Sequence, residues 1–236
     1  MPFTRIGDAR AFLRRRGWLS GTPPRFADAL LARCQMGSAE RGAAVYRIGA
    51  PYDGLRGIVS GGFAFEIAPY ERGPNLAHVF RPGFWFGEAE SFDARPQIAT
   101  IVATRDSTFL HLTLSELRAL VAEEPETWRW IGQLGGQHLD LALGIIDDHM
   151  LRDSGERITA LLLRLAGARK ADTPHDPRPE IDVTQSDLAQ LATVSRATVV
   201  DKLQALENDG LIARNYGCVT LLDPGAMRAR LAHGSL

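Results

Sequence analysis

Apolar residues recur at helical spacing, then at strand spacing, then at helical spacing again. Over residues 9–36, Phe12, Leu13 and Trp18 are followed, after Pro23-Pro24, by Phe26, Leu30 and Leu31, which predicts short helices. From about Gly42 to Leu114 the pattern breaks into Ala44–Ile48, Gly57–Val59, Phe63–Ala68, Leu76–Phe80, Ile98–Ala103 and Thr108–Leu112, separated by glycines and prolines. Many short strands with turn punctuation predict a double-sheet roll or barrel. Leu114–Glu123 returns to helical spacing, and Pro125 opens a long helix reaching Arg152. On it Trp128, Ile131, Gly135, His138, Ala142, Ile145 and His149 share a seam, with Leu134 and Leu141 beside it, which suits a homodimer. Gly132, Gly135, Gly136 and Gly144 lower helix propensity but permit close helix approach.

Asp153-Ser154-Gly155-Glu156 provides a break, read as a hinge, and a new cap before Ile158, Leu161, Leu162 and Leu165. Arg169–Glu180, rich in Pro, Asp and charge, reads as an exposed connection. Thr184-Gln185-Ser186-Asp187 then has the form of a capping box, opening a short helix that buries Leu188, Leu191 and Ala192. Ser195 caps a second helix only three residues later. There Val199, Leu203 and Leu206 point inward, leaving Arg196, Ala197, Val200, Asp201 and Gln204 on another face that suits a major groove. Gly210 ends this helix, and Leu211–Arg214 and Cys218–Leu222 flank a hairpin tip at Asn215-Tyr216-Gly217. The elements together predict a winged helix-turn-helix; the plainer alternative is two packed helices and a hairpin with no ligand.

Charge neither supports nor opposes DNA binding, because residues 154–236 hold ten Lys/Arg and ten Asp/Glu. Phosphate contact then falls to Arg196, Lys202, Arg214, helix-capping N–H groups and hydroxyls. At 236 residues and 45% hydrophobic composition the chain accommodates two domains, and a net charge of −1 predicts no membrane attraction. No apolar run spans a bilayer and no signal-peptide core is present, so a cytoplasmic location is expected. Cys34 and Cys218 are too few for a four-cysteine iron–sulfur cluster and read as free thiols.

From about residue 25 onward the chain resembles the CRP/FNR family of bacterial transcription regulators. The resemblance rests on Ser195-Arg196-Ala197-Thr198-Val199 with Leu203, Leu206 and Gly210-Leu211-Ile212, and on Pro82-Gly83-Phe84-Trp85-Phe86-Gly87-Glu88, which matches the family's effector-pocket segment. It implies an α+β chain of three parts: N-terminal helices and a cyclic-nucleotide-binding-like sensor β-roll over 1–123, a long dimerisation helix and hinge over 124–153, and a winged helix-turn-helix over 154–236. It also implies double-stranded operator DNA as a partner, with RNA polymerase as a further one. DNA-contacting positions carried over are Thr184, Gln185, Ser186, Ser195, Arg196, Ala197, Thr198, Val200, Asp201, Lys202, Gln204 and Arg214. In this match Ala197 replaces an acidic base reader and Asp201 an arginine, so the usual half-site does not transfer.

The pocket positions carried over are Phe86, Gly87, Glu88, Ala89, Arg95, Gln97, Ile98, Ala142 and Leu143. In cyclic-AMP-responsive members an Arg-Ser or Arg-Ala pair holds the phosphate; here Gln97 and Ile98 stand there, after a one-residue shortening, and Arg95 replaces the cation only if its loop moves. Ala142 and Leu143 stand where hydroxyls contact adenine. Glu88 keeps its capacity to accept from a ribose hydroxyl. The resemblance thus leaves a small-molecule effector open and disfavours cyclic AMP. His138 and His149, eleven residues apart on the long helix, are expected to be packed or surface side chains.

Two other classes stay in view. One is a DNA-binding regulator whose roll is purely structural and which answers to no effector. The other is a cupin-like metal enzyme, for which His78 and His111 are too far apart in sequence and lack the His-x-His pattern with a following Glu.

Overall fold

The computed structural model describes residues 5–68, 73–93, 95–171, 179–215 and 217–233. It divides into two compact units, Met1–Leu139 and Asp140–Leu236.

The first unit opens with α1 (Ile6–Arg14), a 3₁₀ turn at Trp18–Gly21 and α2 (Pro24–Arg33). The roll follows as β1 (Gln35–Ala39), β2 (Ala44–Tyr46), β3 (Gly54–Ser60), β4 (Phe63–Ile67), β5 (Asn75–Phe80), β6 (Trp85–Phe86), β7 (Ala99–Ala103) and β8 (Ser107–Thr113). Its two antiparallel sheets have the orders β1-β8-β3-β6 and β2-β7-β4-β5. Register puts Phe63 opposite Phe80 and Ala103, and Phe65 opposite His78 and Ile101, so alternate residues of three strands turn one aromatic face inward. Phe80 stacks on Phe84 with centroids 4.1 Å apart, and Phe86 meets Tyr46 edge-on at 5.2 Å.

Gln35 and Met36, the end of the expected helical lead-in, instead open β1, which pairs with β8. Gly37 explains it: a Cβ there would lie 2.6 Å from the Phe109 ring, so the side-chain-free backbone receives that ring. The two-residue β6 likewise gives no periodic signal.

α3 (Leu114–Glu123) starts under a Thr113 cap, and α4 runs Thr127–Met150. The expected seam on α4 needs correction. Ile131 and Leu134 are buried in the first unit's own core, and His138 is turned onto Glu88. Ala142, Ile145 and His149 continue that same helical face. Trp128, Ala142 and His149 of the expected seam are exposed, and so is a neighbouring stripe, Gly132, Gly136, Leu139, Leu143, Ile146 and Met150, whose steps alternate four and three residues. The helix therefore carries two apolar faces, and periodicity alone could not say which one its own roll would claim.

In the second unit α5 (Ser154–Leu165) is capped by Asp153, whose carboxylate accepts from the N–H groups of Gly155 and Glu156 at 2.7 and 2.9 Å. Arg157 donates to the Leu151 and Arg152 carbonyls, holding the end of α4 at the predicted break. A buried pair between Asp148 and Arg164, 2.7 Å apart, joins α4 to α5 and is extended by Arg169. Then come β9 (Glu180–Asp182), α6 (Gln185–Ala192), α7 (Arg196–Asn208), β10 (Ile212–Asn215), β11 (Cys218–Leu221) and α8 (Pro224–His233), with sheet order β10-β11-β9. Residues 172–178 of the expected connection and Tyr216 of the expected tip lie outside the described residues.

Between α6 and α7 the turn pivots on Thr193, which has φ 54 and ψ 50. A β-branched side chain in that left-handed conformation is strained. Thr193→Gly is expected to stabilise the second unit by about 1 kcal/mol, the relief of strain outweighing glycine's added unfolded-state entropy, as read by the midpoint of urea unfolding followed by circular dichroism.

Candidate DNA-reading face and effector site

The capping box predicted at Thr184 is formed. Its hydroxyl accepts from the Asp187 N–H at 3.1 Å, while the Asp187 carboxylate accepts from the Thr184 N–H at 3.0 Å. Gln185, half-buried, and Ser186, exposed, then begin α6, in the first turn, whose N–H groups have no partner within the helix. Ser195 Oγ accepts from the Thr198 N–H at 3.0 Å and also bonds the Thr198 hydroxyl, which sets where α7 starts. Val199, Leu203 and Leu206 are buried as their spacing predicted.

The opposite face of α7 presents Arg196, Ala197, Val200, Asp201 and Gln204, all exposed. Arg196 extends towards Gln185, donating to its Oε1 at 3.5 Å, so the first side chain of α7 is steadied by the first of α6. Two carried-over cations are placed differently from the rest. Lys202 lies off this face: its Nζ would be 3.3 Å from a Cβ on Gly155, at the start of α5. There it adds to the Glu156 and Gly155 hydrogen bonds that hold the Asp153 carboxyl below the usual range. Arg214 donates from Nε and Nη2 to Glu207 Oε2 at 2.9 and 2.6 Å and from Nη2 to Gln204 Oε1 at 2.6 Å. The Arg214 guanidinium accordingly keeps the Glu207 carboxyl below its ordinary value. Neither the Glu207 clamp nor the turning of Lys202 had a signal in the sequence, because both depend on which helices pack together.

In the first unit, the segment ending Phe86-Gly87-Glu88 is a tight passage. Gly87 has φ +100, and a Cβ on it would collide with the Tyr46 hydroxyl and the Gly54 carbonyl, so only glycine fits. Glu88 and Glu90 are buried on either side of Ala89, and burial pushes the Glu90 carboxyl up. Glu88 is already engaged: His138 Nδ1 donates to its Oε1 at 2.5 Å, and the imidazole stacks on Phe84 at 4.8 Å. Gln97 is buried with its amide nitrogen unpartnered, whereas Ile98 is half exposed and gives its backbone N–H to Glu90 at 3.2 Å. Arg95 is exposed beside Asp93. The buried cation Arg56, over the Tyr46 ring at 4.5 Å, is held bidentately by Asp53. Ala142 and Leu143 are exposed positions of α4 in the second unit.

Cys34 and Cys218 are free thiols, and burial pushes Cys34 up to about 12. His78 lies on the roll's inner face beside Phe80, and His111 bonds the Asp53 carbonyl at 3.2 Å. Among the described residues no group of three His, Cys, Asp or Glu side chains is disposed to hold a metal ion, and no helix is long and apolar enough to cross a membrane.

Two protein families match this chain in succession. Residues 37–124 match the cyclic nucleotide-binding domain, and residues 156–230 match the Crp-like helix-turn-helix domain. A CRP-like cAMP-activated global transcriptional regulator of Mycobacterium tuberculosis is 26% identical over 218 residues, covering 92% of this chain and 97% of that protein. Among solved structures, FixK2 from Bradyrhizobium japonicum superposes with a TM-score of 0.70 at 15% identity, covering 85% of this chain and 96% of that one. A CRP/FNR-family transcriptional regulator from Thermus thermophilus superposes with a TM-score of 0.60 at 24% identity, covering 84% and 98%. A nucleotide-binding-type roll, a long helix and a Crp-like reader thus follow one another in a single chain, and the protein belongs to the CRP/FNR family of transcription regulators, which is not a family of enzymes.

Proposed function

We propose that the protein is a cytoplasmic, homodimeric, sequence-specific regulator in which residues 1–123 sense, 124–153 pair the chains and articulate, and 154–236 read operator DNA, with RNA polymerase as a further partner. The observation that carries this reading is the outward face of α7, where Arg196 stands exposed on a helix start secured by Ser195. The second support is the exposed stripe from Gly132 to Met150, a long apolar seam of the kind a second copy covers. Two recognition helices would then meet half-sites about one helical turn apart.

Cyclic AMP is not the effector in this reading, although the Mycobacterium tuberculosis relative is described as cAMP-activated. Gln97 and Ile98 offer no cation to a cyclic phosphate, Arg56 is committed to Asp53, and Glu88 is committed to His138. Isothermal titration of the purified protein with cyclic AMP is expected to give no micromolar binding; such binding with tighter operator affinity would overturn the point. A second reading, regulation without any effector, draws support from the same Glu88–His138 bond, since the chain itself supplies the group that meets the pocket carboxylate. Operator affinity of ligand-free protein separates the two.

Arg196→Ala is expected to cost about 1–3 kcal/mol of operator binding, concentrated at one guanine of each half-site. Lys202→Ala, off the reading face, serves as the control and should leave base preference unchanged. Binding across a randomised operator library measures both. Wild-type affinity and preference in a folded Arg196→Ala protein would remove the proposed reading face.

A further inference from the structure

On the proposed reading face the central position is apolar. Val200 is 38% exposed on α7, one turn after Arg196 and one turn before Gln204, with the small Ala197 beside it. A lone exposed valine is ordinary on a protein surface. Here its long polar neighbour on the C-terminal side is drawn away: the Gln204 amide nitrogen donates to Asn208 at 2.9 Å and its oxygen accepts from Arg214 at 2.6 Å. Arg214 is itself held by Glu207, so this arrangement does not depend on one hydrogen bond. What remains free at the centre is an isopropyl group flanked by a methyl.

The major groove offers one apolar group, the C5-methyl of thymine. Resting on the DNA-reading function proposed above, we infer that Val200 is a specificity-determining residue that reads a thymine methyl in each half-site, next to the base pair met by Arg196. Asp201, at the edge of the face, repels phosphate and favours the approach of the helix centre over its rim.

The test begins with selection of an operator from a randomised duplex library by the purified full-length protein. The selected half-site should hold an invariant thymine near the guanine assigned to Arg196. Replacing that thymine by deoxyuridine removes only the methyl and should weaken wild-type binding about fourfold per half-site, the worth of one buried methyl-sized group. Val200→Ser, an exposed substitution checked for folding by circular dichroism, should bind the thymine and deoxyuridine operators alike. A selected site without such a thymine, equal wild-type affinity for both duplexes, or undiminished discrimination by Val200→Ser each overturns the inference while leaving specific DNA binding intact. Failure to select any site overturns the DNA-reading function as well.

Discussion

Replacing His138 by alanine is expected to destabilise the first unit by about 3–5 kcal/mol, because it strands the buried Glu88 carboxylate without its donor. Glu88 has few alternatives: its side chain is 7% exposed, and the neighbouring Glu90 is another acid. The imidazole also fills space against Phe84, so its loss removes packing as well as a charge-assisted bond. All four tryptophans, Trp18, Trp85, Trp128 and Trp130, lie in the first unit, so urea unfolding followed by their fluorescence reports that unit separately. Adding Glu88→Gln to the His138→Ala protein should return part of the stability, since a neutral amide is less costly to bury. A loss under about 1 kcal/mol for His138→Ala would mean that the carboxylate reaches water on its own, which would also weaken the case for an effector-independent roll.

Leu143→Asp is expected to convert a two-chain particle into single chains at micromolar concentration. Leu143 is 54% exposed at the middle of the Gly132–Met150 stripe. Across a two-fold axis each substitution is repeated, so two carboxylates would enter one apolar seam, raising the dissociation constant on the order of a hundredfold or more. Sedimentation reads the change, and palindromic operator binding should fall with it. Gln137→Asp, exposed on the far side of α4, is the control and should leave both unchanged. A Leu143→Asp protein that still sediments as wild type would move the pairing surface elsewhere.

The DNA-reading half was the more legible in sequence. Thr184 with Asp187, Ser195, the inward Val199, Leu203 and Leu206, and Gly210 all act within a turn or two of their own helix, so their spacing determined where α6 and α7 begin, end and face. The turn-punctuated short strands predicted the roll and the resemblance marked its Pro82–Glu88 segment, where the collision awaiting any Cβ at Gly87 shows why that position is glycine. Three matters were decided only by tertiary structure. α4 bears two apolar faces of similar period, and which one turns inward depends on the shape of the roll it meets. Glu88 and His138 are fifty residues apart, and no local rule pairs them. Lys202 and Arg214 read equally well as phosphate contacts along the chain, yet α5 draws one aside and Glu207 the other. Sequence determined the elements whose hydrogen bonds and periodicities close locally; packing decided every partner that had to be brought from a distance, because a side chain's charge and size do not specify which surface will arrive beside it.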